Sequence, residues 1–344
     1  MALTFIKWGK DGSLLTSKVN SVYSVKVYPL ICDKITVTCQ MPKHAQQNII
    51  QNLKKHGGKS AALYKLSCII KDLGMQPPAY LAEVEEEEKI TSATIQCQPY
   101  NPANGFVRLD WNPSRVQALE LKAVINNSWL THPDFGYDYL LGNGKVTRVD
   151  FAVDICSEQV NHLYCYPKMQ YAEVIDSWKS AVKSGRTEYI GVKTKTGKRF
   201  AIYDRIPAIK WHNQKKFLYP NQHIPLPDNP VMRIEARLFP DIPFVGLTNL
   251  ENPFSKLTVA SIKPQENDDP LWSLFLALTR FEGAQATLGR LPKNKRAQFM
   301  QRLKQGQAGW WKPEKVWDQL STVIKKISGE IQSYQPALFV DDGG

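Results

Sequence analysis

Apolar and charged residues alternate with period two in four short segments, 106–112, 146–155, 199–205 and 231–238. Successive strand side chains point to opposite faces, so Val149, Phe151, Val153 and Ile155 lie opposite Arg148, Asp150 and Asp154. The same phase sets Val107, Leu109 and Trp111 against Arg108 and Asp110, and Met232, Ile234, Ala236 and Leu238 against Arg233, Glu235 and Arg237. In the remaining segment Phe200 and Ile202 oppose Arg199, Tyr203 and Arg205. If these strands share one sheet over one core, Asp110, Asp150, Glu235, Tyr203 and several arginines come together on an open face.

Around these strands the pattern predicts an alternating strand at 34–39, closed by Met41 and Pro42, and a helix over 42–56, stopped by Gly57 and Gly58. A second helical pattern is read over 61–73, ending at Gly74 before Pro77 and Pro78. Pro113 opens a helix on which Val116, Leu119, Ala123 and Val124 recur. Another helix is expected at 169–182, then a hairpin pairing 188–192 with 199–205 around Lys195, Thr196, Gly197 and Lys198. Prolines at 207, 220, 225, 227 and 230 predict an irregular loop over the open face. From 263 onward three helical patterns follow, at 270–281, 292–304 and 313–331. The expected class is α+β, a largely antiparallel sheet flanked by helices. Its parts are an N-terminal extension over 1–30, a main domain over 31–265 and a basic helical C-terminal module over 266–344.

A net charge of +12 on 344 residues favours an anionic partner, of which nucleic acid is the commonest; ribosome association or plain solubility would leave the same balance. Six scattered cysteines form no CxxC pair and read as reduced core residues. The opening residues contain no apolar signal region, and the best later apolar run, 271–278, is too short to span a bilayer, so a soluble cytoplasmic protein is expected.

Charge and phase together suggest chemistry. Carboxylates on neighbouring strands repel unless they are protonated or share a divalent cation. Asp110, Asp150 and Glu235 offer the oxygen ligands that Mg²⁺ or Mn²⁺ prefers, and Asp154 is either a reserve ligand or an arginine partner. The plainer alternative is a wet sheet face on which these acids pair with Arg148, Arg233 and Arg237. Tyr203 on the same face could attack a DNA phosphorus and hold the strand end as an ester, with Arg205 stabilising the developing charge. Gly57-Gly58-Lys59-Ser60 imitates the end of a P-loop, but Leu53 stands where its first glycine belongs. The six histidines form no metal-binding pair, and the Glu85–Glu88 run is a solvated turn or a metal-attracting patch. Two stretches concentrate cations and aromatics: nine Lys or Arg over 186–216, and eight over 290–315, the latter around Trp310 and Trp311. Such composition suits a phosphate backbone and stacked bases, although the two tryptophans also read as core anchors. Arg148, Lys195, Lys198, Arg199, Arg233 and Arg237 are the candidate DNA contacts.

The succession VRLDWNPSRV, VTRVDFAVDI, RFAIYDR and VMRIEARL resembles the rolling-circle replication initiators of filamentous bacteriophages, of the gene II protein type, and more distantly the Rep proteins of small plasmids. The resemblance covers roughly 31–247. It implies that Tyr203 is the nicking nucleophile, with Arg205 at a basic position of the motif and Asp110, Asp150 and Glu235 at its acidic ones. The implied reaction is a cut in the plus strand at a double-stranded origin, a covalent 5′-phosphotyrosine, a free 3′ hydroxyl for synthesis, and later rejoining. The expected partners are double- and single-stranded origin DNA, a host helicase and a DNA polymerase. Two rivals remain at this level: the relaxase of a mobile element, and a non-catalytic DNA-binding regulator on a degenerate version of the fold.

Overall fold

A computed structural model describes residues 25–74, 90–126, 133–157, 162–167, 174–175, 187–191, 199–214, 226–227 and 229–330. Thirteen strands run in chain order through these segments. They are β1 (Val25–Val27), β2 (Ile31–Cys39), β3 (Tyr64–Gly74), β4 (Ile90–Pro99), β5 (Val107–Trp111), β6 (Lys145–Ser157) and β7 (Leu163–Pro167). Next come β8 (Val174–Ile175), β9 (Thr187–Gly191), β10 (Arg199–Asp204), β11 (Val231–Leu238), β12 (Ile242–Pro243) and β13 (Leu257–Ser261). The helices are α1 (Lys43–Lys55), α2 (Ala118–Val124), α3 (Tyr137–Asn143), α4 (Arg205–Gln214) and α5 (Pro270–Glu282), followed by α6 (Ala284–Arg290), α7 (Lys293–Gln305), α8 (Pro313–Trp317) and α9 (Leu320–Ser328).

The expected α+β class is what the chain adopts. An 11-stranded sheet runs β3-β4-β5-β2-β6-β11-β10-β9-β8, with β1 and β12 added along β6. Every pairing is antiparallel. All four alternating segments enter it, and the long strand β6 is its centre. Strand β7 pairs with β13 in a separate two-stranded sheet.

One side of the main sheet is apolar and carries the helices. Phe151 of β6 meets Trp317 edge-on at 5.2 Å, and Phe254 lies between Phe200, Trp311 and Trp317 at 6.1 to 6.2 Å. On α1, Ile49 and Leu53 are fully buried, and the Leu53 carbonyl accepts from the Cys68 thiol at 3.2 Å. All described cysteines are free, and all but Cys156 are buried, as reduced core residues should be.

Four expectations change. Residues 64–74 form a strand instead of a helix: Tyr64, Leu66, Cys68 and Ile70 are buried while Lys65 and Ile69 are exposed, a period of two. The connection after β10 is not irregular at its start, because Arg205 begins α4 and Pro207 sits in the first turn, where its missing N–H costs nothing. The domain boundary near 265 is crossed by the core. Helices α5 to α7 build their own cluster, in which Trp272 stacks on Phe275 at 5.2 Å and Phe299 packs against both. Ala308, Trp311, Val316, Leu320, Val323 and Ile327 return to the core of the main sheet. Long-range bonds fasten this return: Tyr137 Oη donates to the Ile327 carbonyl at 2.6 Å, and the Leu30 N–H to Gln319 Oε1 at 2.9 Å. The extension read over 1–30 likewise ends inside the fold, since β1 pairs with β6 and Leu30 is buried. The helix expected at 169–182 and the acidic run at 85–88 lie outside the described residues, the two residues of β8 excepted. Among the described residues no helix is long and apolar enough to cross a membrane.

Candidate active site on the polar side of the sheet

The register confirms the alternation. Arg237 faces Arg199 on one side and Asp150 on the other, while Tyr203 faces Arg233, which faces Asp154. Asp110 lies across from Thr36, and Thr36 across from Arg148. Tyr203, Arg233, Glu235, Arg237, Asp150 and Asp110 therefore share the side of the sheet opposite the helices.

That side is not the open face expected from the sequence. Asp150, Asp154, Arg233 and Glu235 are each at most 3% exposed. Burial of so many charges is tolerated because nearly all are paired at short range. Arg233 grips Asp154 with two bonds of 2.7 and 2.6 Å and Asp33 with a third of 2.5 Å. Arg148 binds Asp150 through Nε and Nη2 at 2.9 and 2.5 Å. Arg237 holds Glu235 Oε2 at 2.7 and 3.1 Å and lies 3.9 Å from Asp150. Asp110 is bound by Lys34 and Arg108, each at 3.0 Å, and by the Thr36 hydroxyl at 3.3 Å.

Asp33 belongs to this network, although its sequence context did not mark it. A register shift in β2 between Cys32 and Lys34 leaves Asp33 as the extra residue, so its carboxylate reaches Arg233 on the polar side. Two consecutive polar residues, Asp33 and Lys34, interrupting the alternation between Cys32 and Ile35 were the available signal. Tyr189 of β9 is a second addition, with the guanidiniums of Arg199 and Arg237 each 5.5 Å from its ring centre.

Tyr203 is half-buried, and its phenol donates a short hydrogen bond to Glu235 Oε1. Burial raises the Tyr203 pKa, as does the Glu235 charge, against the opposing pull of Arg233 and Arg205. Burial also raises Glu235, helped by the Asp33 charge, and Arg237 and Arg233 only partly offset this. The Asp33 carboxyl is held well below the usual range: burial pushes it up, but Arg233, Arg115 and Arg205 outweigh that. Arg205 is buried at the start of α4, and its charge acts on Tyr203 from beside the end of β10. The result is a neutral phenol already bonded to a carboxylate and surrounded by guanidiniums, an arrangement suited to proton transfer from an attacking hydroxyl.

The expected cation centre fares differently. Strand β2 separates β5 from β6, so Asp110 lies about 10 Å sideways from Asp150, with Glu235 one strand further, at about 5 Å per strand spacing. Among the described residues no three His, Cys, Asp or Glu side chains gather to hold a metal ion. Asp150 and Glu235 are linked through Arg237, while Asp110 stands apart on β5 with Lys34 and Arg108, so each of the three acids is engaged by cationic side chains. Acids do pair with arginines, but mostly along one strand: Arg108 with Asp110, Arg148 with Asp150 and Arg237 with Glu235 are each two residues apart, whereas Arg233 reaches Asp154 across the sheet.

The candidate DNA contacts divide as well. Arg233 is buried and saturated by two aspartates, which makes it a strut of the network. Arg148, Arg199 and Arg237 keep partial exposure, while Lys195 and Lys198 lie outside the described residues. Trp311 is buried and donates from Nε1 to the Leu257 carbonyl at 3.2 Å, and Trp310 packs against the same core, so both are anchors of the C-terminal return. Comparison with models of known protein families and with curated proteins returns no match to this chain.

Proposed function

We infer that the protein is a DNA nickase and strand transferase that uses Tyr203 as its nucleophile and acts in the bacterial cytoplasm to initiate rolling-circle replication. The observation that carries this reading is the hydrogen bond from the Tyr203 phenol to Glu235, set among Arg205, Arg233 and Arg237. A half-buried tyrosine with a raised pKa is a poor nucleophile without a base, and Glu235 supplies one in contact.

In the reaction the Tyr203 oxygen attacks a backbone phosphorus while its proton moves to Glu235. One P–O bond forms to the tyrosine and one breaks to the 3′ oxygen. The proton passes from Glu235, by way of solvent, to the departing oxygen, which leaves as a hydroxyl. Arg205 and Arg237 stabilise the negative charge that builds on the phosphoryl oxygens, each hydrogen bond to a charged group being stronger than a neutral one. Rejoining is the reverse: a 3′ hydroxyl attacks the phosphotyrosine, and the phenol recovers a proton through Glu235. No hydrolysis intervenes, so the strand can be closed later without an external energy source.

The four-motif succession that resembles the gene II protein type supports the rolling-circle assignment, and the charge of +12 supports DNA as the anion. Supercoiled DNA of the replicon that encodes the protein provides the test. Wild-type protein should convert it to nicked circles carrying an SDS-stable protein adduct, and Tyr203→Phe should give neither while binding the same DNA. Nicking by Tyr203→Phe at the wild-type rate would remove the nucleophile.

A further inference from the structure

The polar side of the sheet is buried around Glu235 but opens at its other end. A cleft of about 640 Å³ lies there, floored by Thr36 and Thr38 of β2, Arg108 of β5 and Arg148 of β6. Thr38 pairs with Arg108 and with Lys145, and Thr36 with Arg148, so this floor continues the surface that carries Tyr203. Along β6 the row of Arg148 is six residues from the row of Asp154, which is the row of Tyr203. At about 3.3 Å per residue the cleft stands on the order of 20 Å from the phenol.

Three kinds of group line it. Lys145, Arg108 and Arg148 are the cations; each also pairs with an acid, Asp241, Asp110 and Asp150 in turn, so they meet phosphate with their remaining N–H groups. Gln40, Asn104 and Asn143 present side-chain amides, which carry donor and acceptor together and match the edges of bases. Leu63, 54% exposed, and Phe239, with the Arg148 guanidinium 5.9 Å from its ring centre, supply apolar surface. Among the described lining residues Asp241 is the one acid, and it is paired with Lys145 at 3.6 Å. Cations, side-chain amides and apolar surface lining one cleft are what an unstacked nucleotide needs. The volume is in the range for a small ligand and far below that of a duplex.

We propose that this cleft binds one or two unpaired nucleotides of the strand that Tyr203 attacks, and so fixes which phosphate reaches the phenol. The proposal rests on the nickase reading for its strand, but the binding site stands on its own lining. A cleft of this kind accepts single-stranded DNA in preference to duplex, because paired and stacked bases cannot turn their edges into it.

The test is fluorescence anisotropy with a fluorescein-labelled oligothymidylate of about ten nucleotides. A triple variant, Gln40→Ala with Asn104→Ala and Lys145→Ala, removes surface groups far from Tyr203. It should raise Kd about tenfold with an unchanged melting curve, and should lower the salt slope by about 0.7 for the one cation removed. Tyr203→Phe should bind the probe like wild type. An unchanged Kd in the triple variant would overturn the cleft assignment, as would a duplex of equal length competing as well as the single strand. Adduct formation in the supercoiled assay reports separately. Normal nicking with unchanged probe binding sinks the cleft alone, whereas loss of probe binding in the triple variant together with nicking by Tyr203→Phe sinks the nucleophile alone.

Discussion

At the scale of single residues, the functional reading depends on a phenol bonded to a carboxylate, both with raised pKa: burial lifts each, and the Glu235 charge adds to the rise at Tyr203 while the phenol's hydrogen bond pulls Glu235 down. Glu235 must be ionised to accept the Tyr203 proton, and burial with the nearby Asp33 charge lifts its pKa above the ordinary carboxylate value. Nicking should therefore rise with pH through an acid limb above the ordinary glutamate range, where an exposed carboxylate would already be fully active. Glu235→Gln keeps a hydrogen-bond partner for the phenol but removes the base. It should lower the nicking rate by about 10² to 10⁴ and abolish that limb in a pH–rate profile. A wild-type profile in this variant would show that another group takes the proton.

Strands and their irregularities decide how the charges meet. The bulge in β2 turns Asp33 toward Arg233, and this bond joins β2 to β11 over the intervening β6. Because the folded Asp33 pKa is depressed, its stabilisation is complete above the unfolded value of about 4 and is lost as pH falls toward the folded one. Asp33→Asn should lower the melting temperature at pH 7, with the difference from wild type shrinking steadily as pH drops below about 4. A constant difference across that range would mean that Asp33 acts through packing. Much of this level was legible in the chain: β5, β6, β10 and β11 and their facing side chains follow from period-two alternation alone. Strand β3 was not, because its residues also satisfy a helical spacing and only pairing with β4 decides between the two. Nor could the alternation reveal whether the polar side was wet or buried, since an arginine paired with an acid has the same sequence signature in either place. For the same reason the three acidic positions looked like one cation site, and only the strand order separates Asp110 from the other two.

Across the whole molecule, the C-terminal helices are a structural half of the sheet domain. Trp311, Val316, Leu320, Val323 and Ile327 fill the core beneath β6, and Trp317 packs on Phe151. Removing everything after residue 265 should therefore leave an insoluble or molten chain, checked by near-ultraviolet circular dichroism and the loss of cooperative melting. A well-folded truncated protein would restore the boundary that composition suggests. Basic charge is spread on both sides of that boundary. Helix α7 carries Lys293, Arg296 and Lys304 on exposed positions, so long-range attraction to DNA belongs to the molecule and not to one module. The most direct measurement of the central claim is peptide mapping by mass spectrometry of the covalent complex formed with the protein's own replicon DNA. The account predicts a nucleotide remnant linked through its 5′ phosphate to the Tyr203 phenol; a remnant on any other side chain, or a nicked strand with no attached peptide, would contradict it.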